Sequence, residues 1–243
     1  MKTPMSFKGK TVLVTGGTRG LGAAMRDTFA GLGARVIYTG TALCGKSKAG
    51  IVYWHLDLAD ERSTAAFISR MRALKQLDGL VNNAGINILG SIDRIQKDDW
   101  DKVLQVNLTG AMLLMKEAAL LMKKNKSGGR ILNVSSIFGL TSRQQRNAYS
   151  ATKAGLIGLT RAAALDMAPH GILINAICPG FVLTDLTKRM LSVRERARLV
   201  GTIPMGRFGK EAEIAWAAVF LCSSLNTYMT GQTMVVDGGV NIQ

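Results

Sequence analysis

The sequence predicts an α/β fold: a single domain built on a doubly wound parallel sheet of about seven strands, with helices on both faces. Three observations carry that prediction. Short apolar runs alternate with helical patterns at Thr11–Thr15, Arg35–Thr39, Ile51–Leu58, Gly79–Asn82, Arg130–Val134, Leu173–Ile177 and Met234–Val236. The first run leads directly into a glycine-rich turn. No internal repeat, low-complexity stretch or linker divides the 243 residues, so one domain is expected over 1–243. Strands separated by helices make βαβ units, whose right-handed crossovers cover both faces of the sheet.

Composition narrows the possibilities. A hydrophobic fraction of 47% with 27 glycines allows a substantial core with many tight turns. Cys44, Cys178 and Cys222 form neither a metal-ligand spacing nor an even set of bridges; they read as reduced thiols, and no metal is expected. Thr11–Thr15 is too short for a signal h-region. Met112–Met122 is broken by Lys116 and Glu117, and no run reaches the ~18 apolar residues of a membrane span. The expectation is a cytoplasmic protein without membrane attachment. The net charge of +15 asks for an anionic partner. Its densest groups, Lys123/Lys124/Lys126/Arg130 and Lys188–Arg198, read first as solvated helix faces. No reader motif or aromatic-interleaved basic stretch supports nucleic acid.

The elements follow in order. Thr15-Gly16-Gly17-Thr18-Arg19-Gly20-Leu21-Gly22 opens a helix whose stripe is Leu21, Met25, Phe29 and Leu32. A strand, a glycine turn and a helix together let backbone approach a phosphate at the helix's positive end, which points to a dinucleotide. A carboxylate ending the second strand would bind the 2′-hydroxyl of NAD. Here that strand ends in Tyr38-Thr39-Gly40-Thr41, while Arg19 and Thr41 suit a 2′-phosphate; NADP(H) is preferred and NAD(H) stays open. Only about ten residues, Gly40 to Gly50, join the second and third strands, so that crossover helix is one turn or missing.

Asp57 can accept from an adenine amino group or cap the helix beginning near Asp60. Asn82-Asn83-Ala84-Gly85 reads as a cofactor wall or a plain turn. The next helix carries Trp100, Val103, Leu104, Asn107, Ala111, Leu114, Ala118 and Leu121 on one stripe. Asn107 is the polar intruder: a structural kink or part of a site, since a buried amide needs partners. Val134-Ser135-Ser136 ends the fifth strand with two hydroxyls. Thirteen residues beyond Ser136, Tyr149 and Lys153 share a helix face. An ammonium within ~4–6 Å would lower the tyrosine pKa. A tyrosine packed under a lysine stem is the plainer alternative. Cys178-Pro179-Gly180 then leads into Phe181-Val182-Leu183-Thr184 and a basic segment, Leu186–Gly206, suited to a lid or a surface helix.

In this order and spacing, Thr15–Gly22, Asn82–Gly85, Asn107, Ser136, Tyr149-x-x-x-Lys153, Pro179-Gly180 with Thr184, and Val236-Asp237-Gly238-Gly239 resemble the short-chain dehydrogenase/reductase family. These are single-domain Rossmann oxidoreductases, and the likeness spans nearly the whole chain. It implies hydride transfer between NADP(H) and a carbonyl or secondary alcohol. Tyr149 would be the acid or base, Lys153 its pKa partner and ribose ligand, Ser136 the hydrogen-bond partner of the reacting oxygen, and Asn107 the holder of a relay water. Cofactor contacts would come from Gly16, Thr18, Arg19, Gly20, Leu21, Gly22, Thr41, Asp57, Leu58, Asn83, Ala84, Gly85, Tyr149, Lys153, Pro179, Gly180, Val182 and Thr184. A substrate loop would lie near 184–208.

Within the family the chain is most similar to 3-oxoacyl-acyl-carrier-protein reductases, which makes an acyl carrier protein thioester the rival substrate. Two features depart from that group. Ser127 and His170 replace basic carrier-docking residues, and the second crossover is short. Ser142–Arg146 falls where the pocket is lined. Arg143 or Arg146 could pair an anionic substrate such as a keto acid, sugar acid or nucleotide sugar, with Ser136, Arg143 and Tyr149 as substrate contacts. Members are commonly tetramers; Met112–Met122 and Ile214–Leu221 suit interface helices or burial within one chain. Readings of another class are a catalytically silent nucleotide-binding protein, which would require a broken Ser/Tyr/Lys set, and a nucleic-acid-associated protein, which would rest on charge alone.

Overall fold

A computed structural model describes residues 5–125, 128–184, 187 and 192–242. Its sheet has seven strands in the order β3-β2-β1-β4-β5-β6-β7. The strands are β1 (Thr11–Val14), β2 (Arg35–Gly40), β3 (Ile51–His55), β4 (Gly79–Asn82), β5 (Gly129–Val134), β6 (Ile172–Pro179) and β7 (Thr233–Val236). Every neighbouring pair is parallel. The winding reverses between β1 and β4, and a crevice opens there at the strands' carboxyl ends.

Both faces of the sheet are covered, so successive strand residues enter different cores. Val12 and Val14 of β1 pack with Met25 and Phe29 of α1 (Gly20–Gly31) and with Ile214, Ala218 and Val219 of a late helix. Leu13, between them, faces the opposite layer of Phe67, Met71, Leu114, Ala118 and Met122. That layer comprises α2 (Glu61–Arg72), α4 (Gly110–Asn125) and α5 (Asn147–Met167). A short α3 (Lys97–Leu104) precedes α4, while α6 (Val193–Val200) and α7 (Glu211–Cys222) follow α5.

Three local features differ from, or refine, the expectation. The third strand stops at His55 rather than Leu58. Its continuation turns away because the Asp57 N–H donates to Ser63 Oγ and Asp57 Oδ1 accepts from the Ala59 N–H. Asp60, not Asp57, caps α2 by accepting from the Arg62 N–H. No helix occupies the β2–β3 crossover. Instead the Tyr53 hydroxyl donates to the carbonyls of Gly40 and Ala42, and the Tyr38 hydroxyl to that of Lys46.

The long helix from Trp100 to Leu121 is not continuous. A π-helical turn at Gln105–Thr109 inserts between α3 and α4, with Asn107 inside it. Residues 185, 186 and 188–191 of the expected loop lie outside the described residues, as do Lys126 and Ser127. From Ser192 the described chain forms α6, started by a capping box between Ser192 and Glu195.

Candidate active site

The glycine turn at the crevice is held from three strands. The Gly16 N–H donates to Thr39 Oγ1 and the Gly17 N–H to the Thr39 carbonyl. Thr15 Oγ1 accepts from the N–H groups of Asn83 and Ala84, and Asn83 Nδ2 donates to the carbonyls of Thr15 and Gly16. Gly16 and Gly20 have φ of 63° and 58°, in the left-handed region. At Gly22 a Cβ would lie 2.2 Å from the Gly16 carbonyl oxygen. Only glycine lets α1 begin this close to the turn. Its N-cap, Arg19, makes no side-chain cap bond, and its first turn holds no acid. The helix therefore presents open N–H groups and a positive dipole end, a cradle that fits a pyrophosphate.

The specificity end of that cradle lies over β2. Thr18, Arg19 and Thr41 are exposed, and a Cβ at Gly40 would lie 2.5 Å from Thr18 Cγ2, so the turn and the strand end touch. No carboxylate stands on Tyr38-Thr39-Gly40-Thr41. Across the crevice, Thr184 follows β6, its methyl 3.9 Å from the position of a Gly20 Cβ. Gly180 at the end of β6 is needed for approach to β7, since a Cβ there would meet Asp237 Cα at 2.6 Å. The Val182 carbonyl accepts from the Thr184 N–H and from Thr187 Oγ1, which shapes this arm.

The β5 end supplies the hydroxyls, and the structure gives them different jobs. Ser135 is buried and its Oγ donates to the Lys153 carbonyl, tying α5 to the sheet. Ser136 Oγ accepts from the Phe138 N–H, and its hydroxyl favours the ionised form of the neighbouring Tyr149 phenol. Tyr149 and Lys153 lie one turn apart on α5, with Lys153 Nζ 5.6 Å from the Tyr149 ring centroid. Lys153 Nζ donates to the Val134 carbonyl at 2.7 Å.

Asn107 reaches the same place from the π-helical turn. Its Oδ1 accepts from the Ile86 N–H, and its Nδ2 donates to the Ile86 carbonyl and to Thr152 Oγ1. A Cβ on Gly85 would sit 3.2 Å from Asn107 Oδ1 and 3.5 Å from Lys153 Nζ. Gly85, Asn107 and Lys153 thus converge at the π-helical turn. π-turns often mark functional positions because the extra residue redirects a side chain.

Electrostatics revise one expectation. Burial pushes the Tyr149 phenol up from its ordinary value; the Ser136 hydrogen bond and the Arg146 charge pull it back only in part. Burial lowers the Lys153 ammonium to about 8. The expected depression of Tyr149 by Lys153 is therefore absent: the ammonium is turned to a carbonyl, and desolvation dominates. At neutral pH the phenol is therefore protonated. Beneath it, the buried Cys178 thiol is also raised by burial.

Other expected contacts fall differently. Leu58 is buried, its side chain against the start of α4, where a Gly110 Cβ would meet it at 2.8 Å; only its backbone can face the crevice. The Asn83 side chain braces the glycine turn. Leu21 packs on the core edge and can offer its backbone N–H. Arg143 is exposed, while Arg146 lies over the Phe138 ring, Cζ 5.6 Å from its centroid. Phe138 in turn meets Phe181 edge-on at 6.1 Å. The sequence reading missed this aromatic pair and the bracing roles of Thr15, Thr39 and Thr152. The spacing of Arg146, one turn before Tyr149, was its available signal.

Comparison with known proteins agrees with this geometry. Residues 16–241 match a family model described as enoyl-(acyl carrier protein) reductase. The chain is 40% identical to the 3-oxoacyl-acyl-carrier-protein reductase FabG of Aquifex aeolicus, covering 97% of this chain and 99% of that protein. It is 37% identical to the FabG of Escherichia coli, over 97% and 99% of the two chains. Among solved structures, a putative NAD(P)-dependent gluconate 5-dehydrogenase from Beutenbergia cavernae, with bound NADP, superposes with a TM-score of 0.92. It is 32% identical, and 99% and 100% of the two chains are covered. A putative gluconate dehydrogenase from Agrobacterium tumefaciens gives a TM-score of 0.88 at 32% identity, over 98% of each chain. The chain belongs to the short-chain dehydrogenase/reductase family, and is an oxidoreductase that uses a nicotinamide dinucleotide.

Proposed function

We propose that the protein is an NADP(H)-dependent oxidoreductase that interconverts a carbonyl and a secondary alcohol on a small anionic substrate. What supports the reading is that Lys153 Nζ lies 5.6 Å from the Tyr149 ring centroid and beside Gly85, whose neighbour Ala84 packs on Gly16 of the glycine cradle. Gly16, Thr18, Gly20, Leu21 and Gly22 would hold the pyrophosphate, and Arg19 and Thr41 would receive the 2′-phosphate. Asp57 and Leu58 flank the adenine. Asn83, Ala84, Gly85, Pro179, Gly180, Val182 and Thr184 would hold the nicotinamide half. When bound, the cofactor supplies or accepts the hydride.

The chain's own residues supply geometry and a proton. Ser136 Oγ donates a hydrogen bond to the substrate oxygen and fixes the carbonyl carbon. Tyr149, kept protonated by burial, donates its proton to that oxygen as negative charge develops on it. Lys153, cationic at neutral pH, would bind the ribose hydroxyls of the cofactor, and Asn107 positions the relay that returns a proton. In the reverse direction each step runs backwards, with Tyr149 as base.

Substrate identity has two supports that point apart. The curated relatives are 3-oxoacyl-acyl-carrier-protein reductases, which favours a carrier thioester as the second reading. Against it, an exposed histidine, His170, stands where a basic docking group is expected. The arginines beside Tyr149 favour a keto acid, sugar acid or nucleotide sugar. We also read the assembly as a homotetramer, on the apolar side chains left exposed at Leu120, Leu165, Trp216 and Ile242. Among the described residues, no helix is long and apolar enough to cross a membrane; a cytoplasmic location belongs to the same reading.

The test is a panel of ketones, keto acids, ketoses and acyl thioesters, followed by NADPH and NADH absorbance. Turnover is expected with NADPH above NADH, and with keto acids above thioesters. Preference for NADH would refute the roles of Arg19 and Thr41; thioester preference would establish the second reading.

A further inference from the structure

Gln145 has a φ of 65°, the one positive value at a non-glycine among the described residues. That conformation costs roughly 1 kcal/mol or more outside glycine and persists only where the surroundings impose it. Here the Gly90 N–H donates to the Gln145 carbonyl, and Asn147 Nδ2 donates to the Gly90 carbonyl at 2.7 Å. Two loops are thus clamped together so that the next residue, Arg146, starts the catalytic helix with its side chain over Phe138. Phe181, from the end of β6, supports Phe138 from the side.

The guanidinium in this place lacks what the half-buried Arg26 and Arg130 have. Arg26, Arg72 and Arg207 each hold a carboxylate with two nitrogens. Arg130, also partly buried, donates to two backbone carbonyls. Among the described residues Arg146 has neither; burial depresses its pKa, the neighbouring Tyr149 offsets this only in part, and Arg143 adds repulsion. A partly desolvated cation without a counter-charge is unfavourable for the fold alone. Its planar fork of donors is instead free for a planar anion.

We propose that Arg146 is the anion-recognition residue of the substrate site, binding a substrate carboxylate above the Phe138–Phe181 shelf while the carbonyl rests between Ser136 and Tyr149. The inference rests on the hydride-transfer reading above and narrows its substrate class to keto acids and the corresponding hydroxy acids. It also moves the recognition role from Arg143, which is exposed and makes no such aromatic contact, to Arg146.

Ketones offered in matched pairs test it: 5-ketogluconate with L-sorbose, and acetoacetate with acetoacetamide. Wild type is expected to favour the carboxylate member in kcat/KM. Arg146→Gln should reduce that preference by roughly 10- to 100-fold, mainly through KM, as loss of a charge-assisted bidentate contact predicts. Arg146→Lys should restore part of it. Binding is read separately by mass-spectrometric footprinting: 5-ketogluconate should slow phenylglyoxal modification of Arg146, and L-sorbose should not. Equal losses for both members of a pair, absence of protection, or the effect appearing with Arg143→Gln alone would each overturn the proposal. If no ketone oxidises NADPH but protection persists, hydride transfer is refuted and the anion site stands.

Discussion

Replacing Gly22 with alanine adds one methyl group at the point where α1 meets the glycine turn. Its Cβ would lie 2.2 Å from the Gly16 oxygen, 2.6 Å from Asn83 Nδ2 and 2.9 Å from the Gly16 carbonyl carbon. Two of these atoms are backbone, so relief requires α1 to move or the turn to open. Overpacking of this kind costs roughly 1–3 kcal/mol. Displacing Asn83 also loses its bonds to Thr15 and Gly16, at about 1 kcal/mol each. A total of roughly 3–5 kcal/mol is a large part of the ~5–15 kcal/mol that holds a typical domain.

Gly31, the last residue of the same helix, is the internal control, because its Cβ would meet nothing within 4 Å. Gly31→Ala should stabilise by roughly 0.5–1 kcal/mol through helix propensity alone. Urea unfolding and fluorescence titration with NADPH read both variants. The same chemical change in one helix should then have opposite signs, with NADPH affinity lost only in Gly22→Ala. If Gly22→Ala unfolds like wild type and binds NADPH equally well, the close-approach argument is wrong.

The remaining predictions concern charge and assembly. Lys153 has a folded-state pKa of about 8 against an ordinary 10.5. Between those values the unfolded chain binds more protons, so the unfolding free energy rises with pH there; the penalty is fully present below 8. Relative to Lys153→Met, wild type should therefore gain roughly 2 kcal/mol between pH 8 and 10. A difference that does not vary with pH would show that the ammonium is not desolvated. Light scattering should report four chains for wild type, and Leu165→Glu or Trp216→Glu, at residues 79% and 50% exposed, should halve that mass. A monomeric wild type would dismiss the assembly.

Much of the fold was legible because parallel strands buried on both faces leave short apolar runs between turn residues, as at Gly79–Asn82. Pattern could not show the end of β3, which depends on Asp57 and Ser63 meeting across six residues. Nor could it show the π-turn: one extra residue leaves the stripe from Trp100 to Leu121 intact, and only the misplaced Asn107 hinted at it. The pairing of Tyr149 with Lys153 was readable from helical spacing. Its electrostatics were not, because the direction Lys153 takes depends on the Val134 carbonyl, nineteen residues away in sequence. Arg143 and Arg146 are equivalent in sequence; the clamp through Gly90 separates them.

The account stands on proton donation by one phenol beside the cofactor cradle, and one comparison addresses it most directly. NADPH oxidation by the best ketone of the panel is measured for wild type and Tyr149→Phe, with NADPH binding titrated in both. The variant should bind NADPH with unchanged affinity and lose roughly 100-fold or more in kcat, the contribution of a positioned acid. A variant that turns over at a rate close to wild type would contradict the account.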